Sequence, residues 1–585
     1  MLRISTLGPK LLRTTDRFLA KKVRYLAAKA SYLNCPGTEP LLYKTVADLV
    51  DEAAEKYGDR PAIIANYQKQ RTSFGEAKEK AETLARALLK LGAKKGDRIG
   101  IWAPNSTEWY ISNLAIAKCG AISVYMNPAY QGPEVLHCLN KAGVKMLITA
   151  DTFKTQDYYK ILEGISPEIQ NCQPGKLKSE SVPSLETVIF ITDKDLPGSY
   201  KYKDIYEEGK GQSRAELDEV VKTVEPENIC NIQFTSGTTG KPKGASLSHF
   251  AIVNNSYLIS QGLELQLKHH KVCFMGPFFH AMGSVIGILS CFHYGSTMVI
   301  PDYSFNPESA VNDINNEKCT ILLGTPTMYI DIFRKMSEKN ITLNTVEMSI
   351  AGGALCSPEL YKDMTGKLGV KRAVWLYGLT ESGPVAFMTR SDDGPEKVIK
   401  TVGRLMPHTE AKVVDANGNI LPQNVPGELL LRGFLIMDGY WGDEERTKET
   451  ITPTGWLRTG DQFIIDEYGY GKIVGRIKDL IIRGGENISP LEIEEFLITH
   501  PDAVDVQVFG VPDERLGEQV CACLKLKPGS NLTKAELQQY CKGNIAHFKI
   551  PHYIFFVDEF PKTDTGKIQR YKMRETVLKM LEKAG

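Results

Sequence analysis

From Thr45 onward the chain alternates short apolar strands with amphipathic helical segments, and this alternation narrows the possible folds more than any other feature. Residues 46–57, 74–92, 109–118 and 132–142 place apolar side chains at helical spacing. Between and after them, 98–102, 121–126, 144–149 and 188–192 are short apolar runs suited to buried strands. Strands resume at 272–276, 297–301, 321–324 and 348–351. Such alternation predicts an α/β protein with parallel sheets covered by helices. Two polar, turn-rich stretches, 173–184 and 197–213, read as surface insertions. Beyond about residue 400 the texture changes. Runs at 411–414 and 428–432 flank Asp415-Ala416-Asn417-Gly418-Asn419, a hairpin signal that predicts a small antiparallel, β-barrel-like unit. After Asp479, helices at 490–499, 534–544 and from 570 alternate with strands at 504–511, 520–526 and 553–557. A chain of 585 residues is expected to hold two or more domains. The boundaries fall at 41–477 for a large N-terminal domain and 478–585 for a smaller α+β C-terminal domain.

Composition removes several function classes. A formal charge of +1 gives no case for a nucleic-acid surface. The 12 cysteines include no CxxC pair, only Cys521 and Cys523 as a CxC, so neither a zinc site nor a disulfide scaffold follows. Residues 280–300 lack Asp, Glu, Lys and Arg, a length that could cross a bilayer. Gly283, Gly287, His293 and the break Tyr294-Gly295-Ser296 dilute it, which predicts a buried helix followed by a strand and no integral membrane span. The first thirty residues carry Arg3, Lys10, Arg13, Arg17, Lys21, Lys22, Arg24 and Lys29 against Asp16 alone. Leu11, Leu12, Phe18, Leu19, Val23 and Leu26 share the opposite arc of a helix. A basic amphipathic helix of this kind predicts a mitochondrial transit segment over 1–40 and a matrix location. A helix lying on a membrane surface and a solvated helix are the rival readings.

The apolar run 229–234 leads into Thr235-Ser236-Gly237-Thr238-Thr239-Gly240-Lys241-Pro242-Lys243-Gly244. A strand opening into a loop of glycines, hydroxyls and lysines suits a polyphosphate. Gly237 and Gly240 let backbone N–H groups approach phosphate oxygens, and Lys243 adds charge. The spacing is not that of a Walker loop, because only Thr238 and Thr239 separate the glycines. Without other signals, a mobile surface loop is an equal reading.

Further motifs decide between them. Tyr377-Gly378-Leu379-Thr380-Glu381, Thr459-Gly460-Asp461, Gly475-Arg476-Ile477-Lys478-Asp479 and Pro561-Lys562-Thr563-Asp564-Thr565-Gly566-Lys567 follow the loop in order. Together the five stretches resemble the adenylate-forming superfamily of acyl-CoA synthetases, peptide-synthetase adenylation domains and luciferases. Arg483-Gly484-Gly485-Glu486-Asn487-Ile488 and His547-Phe548-Lys549-Ile550-Pro551 are most similar to its mitochondrial medium-chain "family member 2" type.

The resemblance implies a two-step reaction. A carboxylic acid attacks the α-phosphorus of ATP, and coenzyme A then displaces AMP from the acyl-adenylate. It implies that Lys567 is the adenylation lysine, that Glu381 holds Mg²⁺ and that Thr380 contacts the α-phosphate. Tyr377 would offer a face to adenine, with a core aromatic as the rival reading, and Gly352, Gly353 and Ala354 would line the other side of the nucleotide. Trp375 and Leu376 depart from the smaller or polar residues of many relatives, which unsettles the adenine edge contact. Asp461 would accept from the ribose hydroxyls, a task for which a carboxylate has two oxygens. Arg476 would support it. Lys478 occupies the family's hinge position, about which the mobile C-terminal domain would swing, bringing Gly484 and Gly485 to the thiol channel. His280, after Phe278 and Phe279, would orient the carboxylate or the pocket wall, with a buried structural histidine as the alternative. The resemblance leaves open a fatty or an aromatic acid. A nucleotide-binding scaffold without activity is the alternative of another class. Oligomeric state is unknown from sequence.

Overall fold

The computed structural model describes residues 29–235, 242–352, 358–483, 486–513, 516–542, 544–545, 547–563 and 568–584. Two large mixed sheets build the N-terminal domain. In the first, Tyr200–Lys201, Thr187–Ile191, Met146–Ala150, Arg98–Trp102, Ile122–Tyr125 and Ile229–Thr235 run parallel. Lys243–Ser248 and Gly439–Tyr440 complete it antiparallel. In the second, Arg372–Tyr377, Met348–Gly352, Ile321–Gly324, Lys271–Phe274, Thr297–Val299 and Pro61–Ala65 run parallel, with antiparallel strands at both edges. The alternation in the sequence thus becomes helix-covered, mostly parallel sheets.

Helices with clear start signals fill the space between these sheets. Thr45 with Asp48 and Ser73 with Glu76 form capping boxes at the heads of Val46–Tyr57 and Phe74–Lys90, satisfying backbone N–H groups that have no partner inside the helix. Thr107–Lys118, capped by Ser106, is buried on nearly every face, as expected of a helix packed between layers. Its buried Lys118 is paired with the buried carboxylate of Glu82 and the partly exposed one of Asp51, so a charge withdrawn from water keeps opposite charges beside it. Trp102 and Trp109 are fully buried in the same core.

The charge-free run 280–300 forms a π-helical turn over Met282–Leu289, continues as Ser290–Tyr294 and ends in the strand Thr297–Val299. Among the described residues no helix is long and apolar enough to cross a membrane. The close approach of Gly283 fixes the start of the turn: a Cβ there would lie 2.3 Å from the Pro277 carbonyl oxygen.

Two expectations shift. The stretch 197–213 is not merely a surface insertion, because Tyr202–Lys210 is a helix that buries Ile205 and Gly209. Gly209 packs so closely that a Cβ would lie 2.2 Å from the Thr83 carbonyl oxygen. The segment set apart as 1–40 also divides. Residues 1–28, which hold nearly all of the basic helix, lie outside the described residues. Tyr32–Cys35 is a strand pairing with Thr409–Val414, and Leu33 packs into the core of that sheet. The sheet continues antiparallel through Gly427–Gly433, Leu457–Ile465 and Gly471–Arg476.

Beyond the turn Ile477–Asp479 lies the smaller unit. Ala503–Asp513 and Gly517–Leu526 form its long hairpin, with Tyr553–Phe556 parallel to the second strand and Ile481–Arg483 on the same sheet. Pro490–Leu497 and Arg570–Ala584 pack against it. Arg570 grips the buried Glu494 through two bonds of 2.8 and 2.7 Å. Burial pushes the Glu494 carboxyl up to about 7, and Arg570 and the Val508 N–H pull it down.

Candidate active site

The strand Ile229–Thr235 turns back into Lys243–Ser248, and the pairing sets Thr235 opposite Lys243. Ser236, Gly237, Thr238, Thr239 and Gly240 lie outside the described residues, so the hairpin is seen by its two ends. His137 contacts the Pro242 carbonyl at 2.9 Å. Burial and then the Arg446 guanidinium hold the Lys243 ammonium below the ordinary lysine range, while Glu381 and Asp443 act in the other direction.

The strand Arg372–Tyr377 of the second sheet delivers the next group. Trp375 and Leu376 are 1% and 5% exposed and belong to core clusters, so they are packing residues in this fold. Gly378 is required by the turn that follows, since a Cβ would sit 1.9 Å from the Pro384 carbonyl oxygen. The buried Ser382 caps the turn by accepting from the Leu379 N–H at 2.9 Å. Asn255, buried on His249–Gly262, donates to the Val385 carbonyl at 2.8 Å and accepts from its N–H at 3.1 Å. The turn bearing Thr380 and Glu381 is therefore held from both ends, with both side chains half-buried.

Tyr377 ends that strand at 6% exposure, its ring packed on Phe463 and Phe387 at centroid distances of 5.3 and 6.1 Å. The hydroxyl donates to Asp461 Oδ2 at 2.7 Å. Burial, and then the negative charge of Asp461, push the Tyr377 phenol well above its ordinary value. Asp461 lies directly across the sheet from Arg476, whose Nε is 2.6 Å from Oδ1. Arg476 also donates to the Thr459 carbonyl at 3.3 Å. The Asp461 carboxylate is thus oriented through both of its oxygens. A carboxylate offers about four acceptor positions, so orientation by Tyr377 and Arg476 is compatible with accepting from the hydroxyls of a ribose.

On the phosphate side, Tyr440 donates to Glu381 Oε1 at 2.8 Å, and Lys243 Nζ stands 5.0 Å from the centre of the Tyr440 ring. Tyr440 belongs to none of the motifs read in the sequence. Its partners lie far away in the chain, and only a Gly-Tyr pair after an apolar stretch marks it.

The remaining candidates are distributed as follows. His280 is exposed, not buried, and its Nδ1 accepts from the Met282 N–H at 3.1 Å at the head of the π-helical turn. Phe278 beside it is fully buried against Trp109 and Phe274. Lys478 is exposed on Ile477–Asp479. Gly353, Ala354, Gly484, Gly485 and Lys567 lie outside the described residues. The chain on either side of Lys567 is closed by an antiparallel bridge between Lys562 and Ile568.

Among the described residues no group of three His, Cys, Asp or Glu could hold a metal alone. One half-buried carboxylate beside a lysine instead fits a hard cation that takes most of its ligands from phosphate and water. A cavity of about 710 Å³ opens elsewhere, between Lys80, Glu108, Lys154, Lys203 and Tyr303, and no motif residue lines it.

Comparison with known proteins places the chain in a family. The AMP-binding enzyme family matches residues 50–441, and the AMP-binding enzyme C-terminal domain matches 492–567. The chain is similar to the mitochondrial medium-chain acyl-CoA ligase ACSF2 of Mus musculus, 42% identical over 587 residues that cover 97% of this chain and 95% of that one. It is 40% identical to the putative acyl-CoA synthetase YngI of Bacillus subtilis, across 92% of this chain and 98% of the relative. Among solved structures it is similar to the anthranilate CoA ligase AuaEII in complex with anthranoyl-AMP. There the TM-score is 0.79 at 25% identity, covering 92% of this chain and 98% of that chain. ATP-bound MatB from Rhodopseudomonas palustris gives 0.74 at 26%, covering 91% and 98%. The family match and these full-length similarities lead to one conclusion: the chain belongs to the AMP-binding, adenylate-forming enzyme family.

Proposed function

We propose that this protein is an ATP-dependent, AMP-forming ligase that joins a medium-chain fatty acid to coenzyme A in mitochondria. The observation that carries the reading is that residues of four separate motifs are joined into two contact groups, Lys243 and Glu381 through Tyr440, and Tyr377, Asp461 and Arg476 directly. In the first step a carboxylate oxygen bonds to the α-phosphorus of ATP and the bond to pyrophosphate breaks. In the second the coenzyme A thiolate attacks the acyl carbon and AMP leaves.

The physical difficulty is that an anion attacks a polyanion, so the site must supply charge and alignment rather than a covalent nucleophile. Asp461, oriented by Tyr377 and Arg476, holds the ribose and thereby fixes the α-phosphate. Lys243 and the loop 235–240 neutralise the triphosphate, and Thr380 contacts the α-phosphate. Mg²⁺, when bound at Glu381, adds positive charge to the phosphate oxygens. Lys567 is assigned to the attacking carboxylate and the α-phosphate, and His280 to the lip of the acyl channel. The C-terminal unit turns at Lys478 between the two steps, which brings Gly484 and Gly485 to the thiol.

The substrate class and compartment rest on the ACSF2 relatives, which are named medium-chain and mitochondrial. A transit role for the basic helix ends upstream of the strand Tyr32–Cys35, because that strand is part of the folded sheet. An aromatic acid is the second reading, favoured by the likeness to the anthranilate ligase.

The test is pyrophosphate release from ATP over a ladder of carboxylic acids, with and without coenzyme A. A peak at medium fatty chains, with thioester formed only when coenzyme A is present, is expected. Release with aromatic acids alone would move the substrate and keep the chemistry. ATP binding without release would favour a scaffold. Lys567→Ala should slow acyl-adenylate formation by about a hundredfold or more, the scale of a lost electrostatic stabiliser.

A further inference from the structure

Tyr440 touches both halves of the triphosphate machinery, and its position is built by an unusual amount of local structure. The segment 437–441 docks on Glu381 and on the phosphate hairpin together. The Met437 N–H donates to the Glu381 carbonyl at 3.0 Å. Tyr440 pairs with Ala245 and Gly439 with Ser246, while the Trp441 N–H donates to the Gly244 carbonyl at 2.8 Å. The Tyr440 N–H is held by Thr447 Oγ1 at 2.9 Å, and Thr447 in turn donates to the Asp443 carbonyl at 2.7 Å. A Cβ on Gly439 would meet Thr447 Cγ2 at 2.8 Å, so the helix Glu444–Thr450 lies directly against the backbone before the tyrosine. The result is a phenol with 8% exposure, its hydroxyl on Glu381 and its ring beside the Lys243 ammonium.

We propose that Tyr440 is a positioning residue for the magnesium–triphosphate subsite, registering the Glu381 carboxylate against Lys243 of the phosphate hairpin. This rests on the reading of Glu381 as the metal carboxylate. A glutamate side chain turns about three bonds and, half-exposed, would sample many rotamers. The hydrogen bond to Oε1 selects one of them and leaves Oε2 open toward a hard cation. The aromatic face draws the Lys243 ammonium to a fixed place by its quadrupole. Without the ring, Glu381 and Lys243 are free to pair directly and cancel each other's charge. The tyrosine thus keeps an anion and a cation apart for a ligand that needs both: a divalent metal on a nucleoside triphosphate.

The two parts of the side chain separate the two effects. Tyr440→Phe keeps the ring and loses the hydroxyl. Binding of Mn²⁺, read by electron paramagnetic resonance in the presence of a non-hydrolysable ATP analogue, should weaken by about five- to tenfold, the scale of one net hydrogen bond. The magnesium concentration that half-saturates adenylation should rise by the same factor, while the KM for the carboxylic acid stays unchanged. Tyr440→Leu loses the ring as well, and should also weaken metal-free binding of the analogue. Tyr32→Phe, which removes another tyrosine–glutamate bond on the far sheet, should change none of these. Wild-type metal affinity and magnesium dependence in Tyr440→Phe, with an unchanged thermal midpoint, would overturn the proposal. Glu381→Gln is measured alongside. If it leaves the magnesium dependence untouched, the assignment of Glu381 fails first. If it shifts that dependence and Tyr440→Phe does not, only the role of Tyr440 fails.

Discussion

Two tyrosine–carboxylate pairs, Tyr377 with Asp461 and Tyr440 with Glu381, are built differently. Tyr377 and Asp461 are both buried, at 6% and 3% exposure, and Arg476 occupies the second carboxylate oxygen. Tyr440 is buried, but Glu381 is half-exposed and has Lys243 nearby without a direct ion pair. The first pair is finished before any ligand arrives. Its geometry is over-determined by two sheet strands in register and an aromatic cluster. In the second, one phenol holds a single carboxylate oxygen and faces an ammonium that makes no ion pair with that carboxylate. On the proposed reading, the sugar side is a fixed reference and the phosphate side is completed by the ligand. This division suits a reaction in which the ribose stays put while pyrophosphate departs.

The sharpest way to break this contrast is Asp461→Ala. Removing the carboxylate leaves the Tyr377 hydroxyl without its partner in a buried place and releases Arg476. Loss of about 2–4 kcal/mol of stability is expected, read by equilibrium unfolding, together with a nucleotide affinity lower by about a hundredfold. Glu381→Gln should slow adenylation with little change in unfolding. Equal destabilisation by the two variants would erase the distinction.

A smaller effect comes from Tyr377→Phe, which keeps the packed ring and deletes one hydroxyl. It should cost about 1–2 kcal/mol and loosen ATP binding modestly, measured by calorimetry. An unchanged affinity would mean that Arg476 alone suffices to orient Asp461.

The smallest effect is a matter of pH. Burial and Arg446 lower the Lys243 pKa, so this ammonium loses its proton before an ordinary lysine does as pH rises. The charged form binds phosphate, so triphosphate affinity should begin to fall at a lower pH than an ordinary lysine titration would allow. Adenosine, which lacks phosphates and needs only the sugar side, should show no such fall. In Lys243→Arg the slope should disappear, because a guanidinium stays charged throughout. A parallel decline for adenosine would place the titrating group elsewhere.

Much of this architecture is legible in the sequence. The strands 98–102 and 321–324 and the helices 46–57 and 132–142 fall where periodicity sets them, because each has one face or a whole run committed to a core. The five motif stretches identify Glu381, Asp461 and Arg476, whose bonds to one another or to a neighbouring tyrosine the fold then provides. Other features escape for identifiable reasons. Tyr202–Lys210 reads as polar because one of its inward positions is Gly209, whose burial has no hydrophobic signature. Tyr32–Cys35 is a short strand that gains its identity from Thr409–Val414, far along the chain. The π-helical register of Met282–Leu289 depends on the squeeze at Gly283, which no local pattern reveals. Tyr440 belongs to the site only because Gly439–Tyr440 joins the edge of the first sheet.

The cross-strand bond between Arg476 and Asp461 has a mechanical consequence. Arg476 is the last residue of its strand, and Lys478 lies two residues further on, in the turn that leads to the C-terminal unit. If the chain pivots there, the torque is taken up beyond a residue already clamped to the sugar cradle. The grip on the nucleotide and the traffic of the swinging unit are then decoupled, as a door frame is from its door. On the proposed reading, an acyl-adenylate could then stay in the frame while the surface facing it is exchanged for one that admits the thiol.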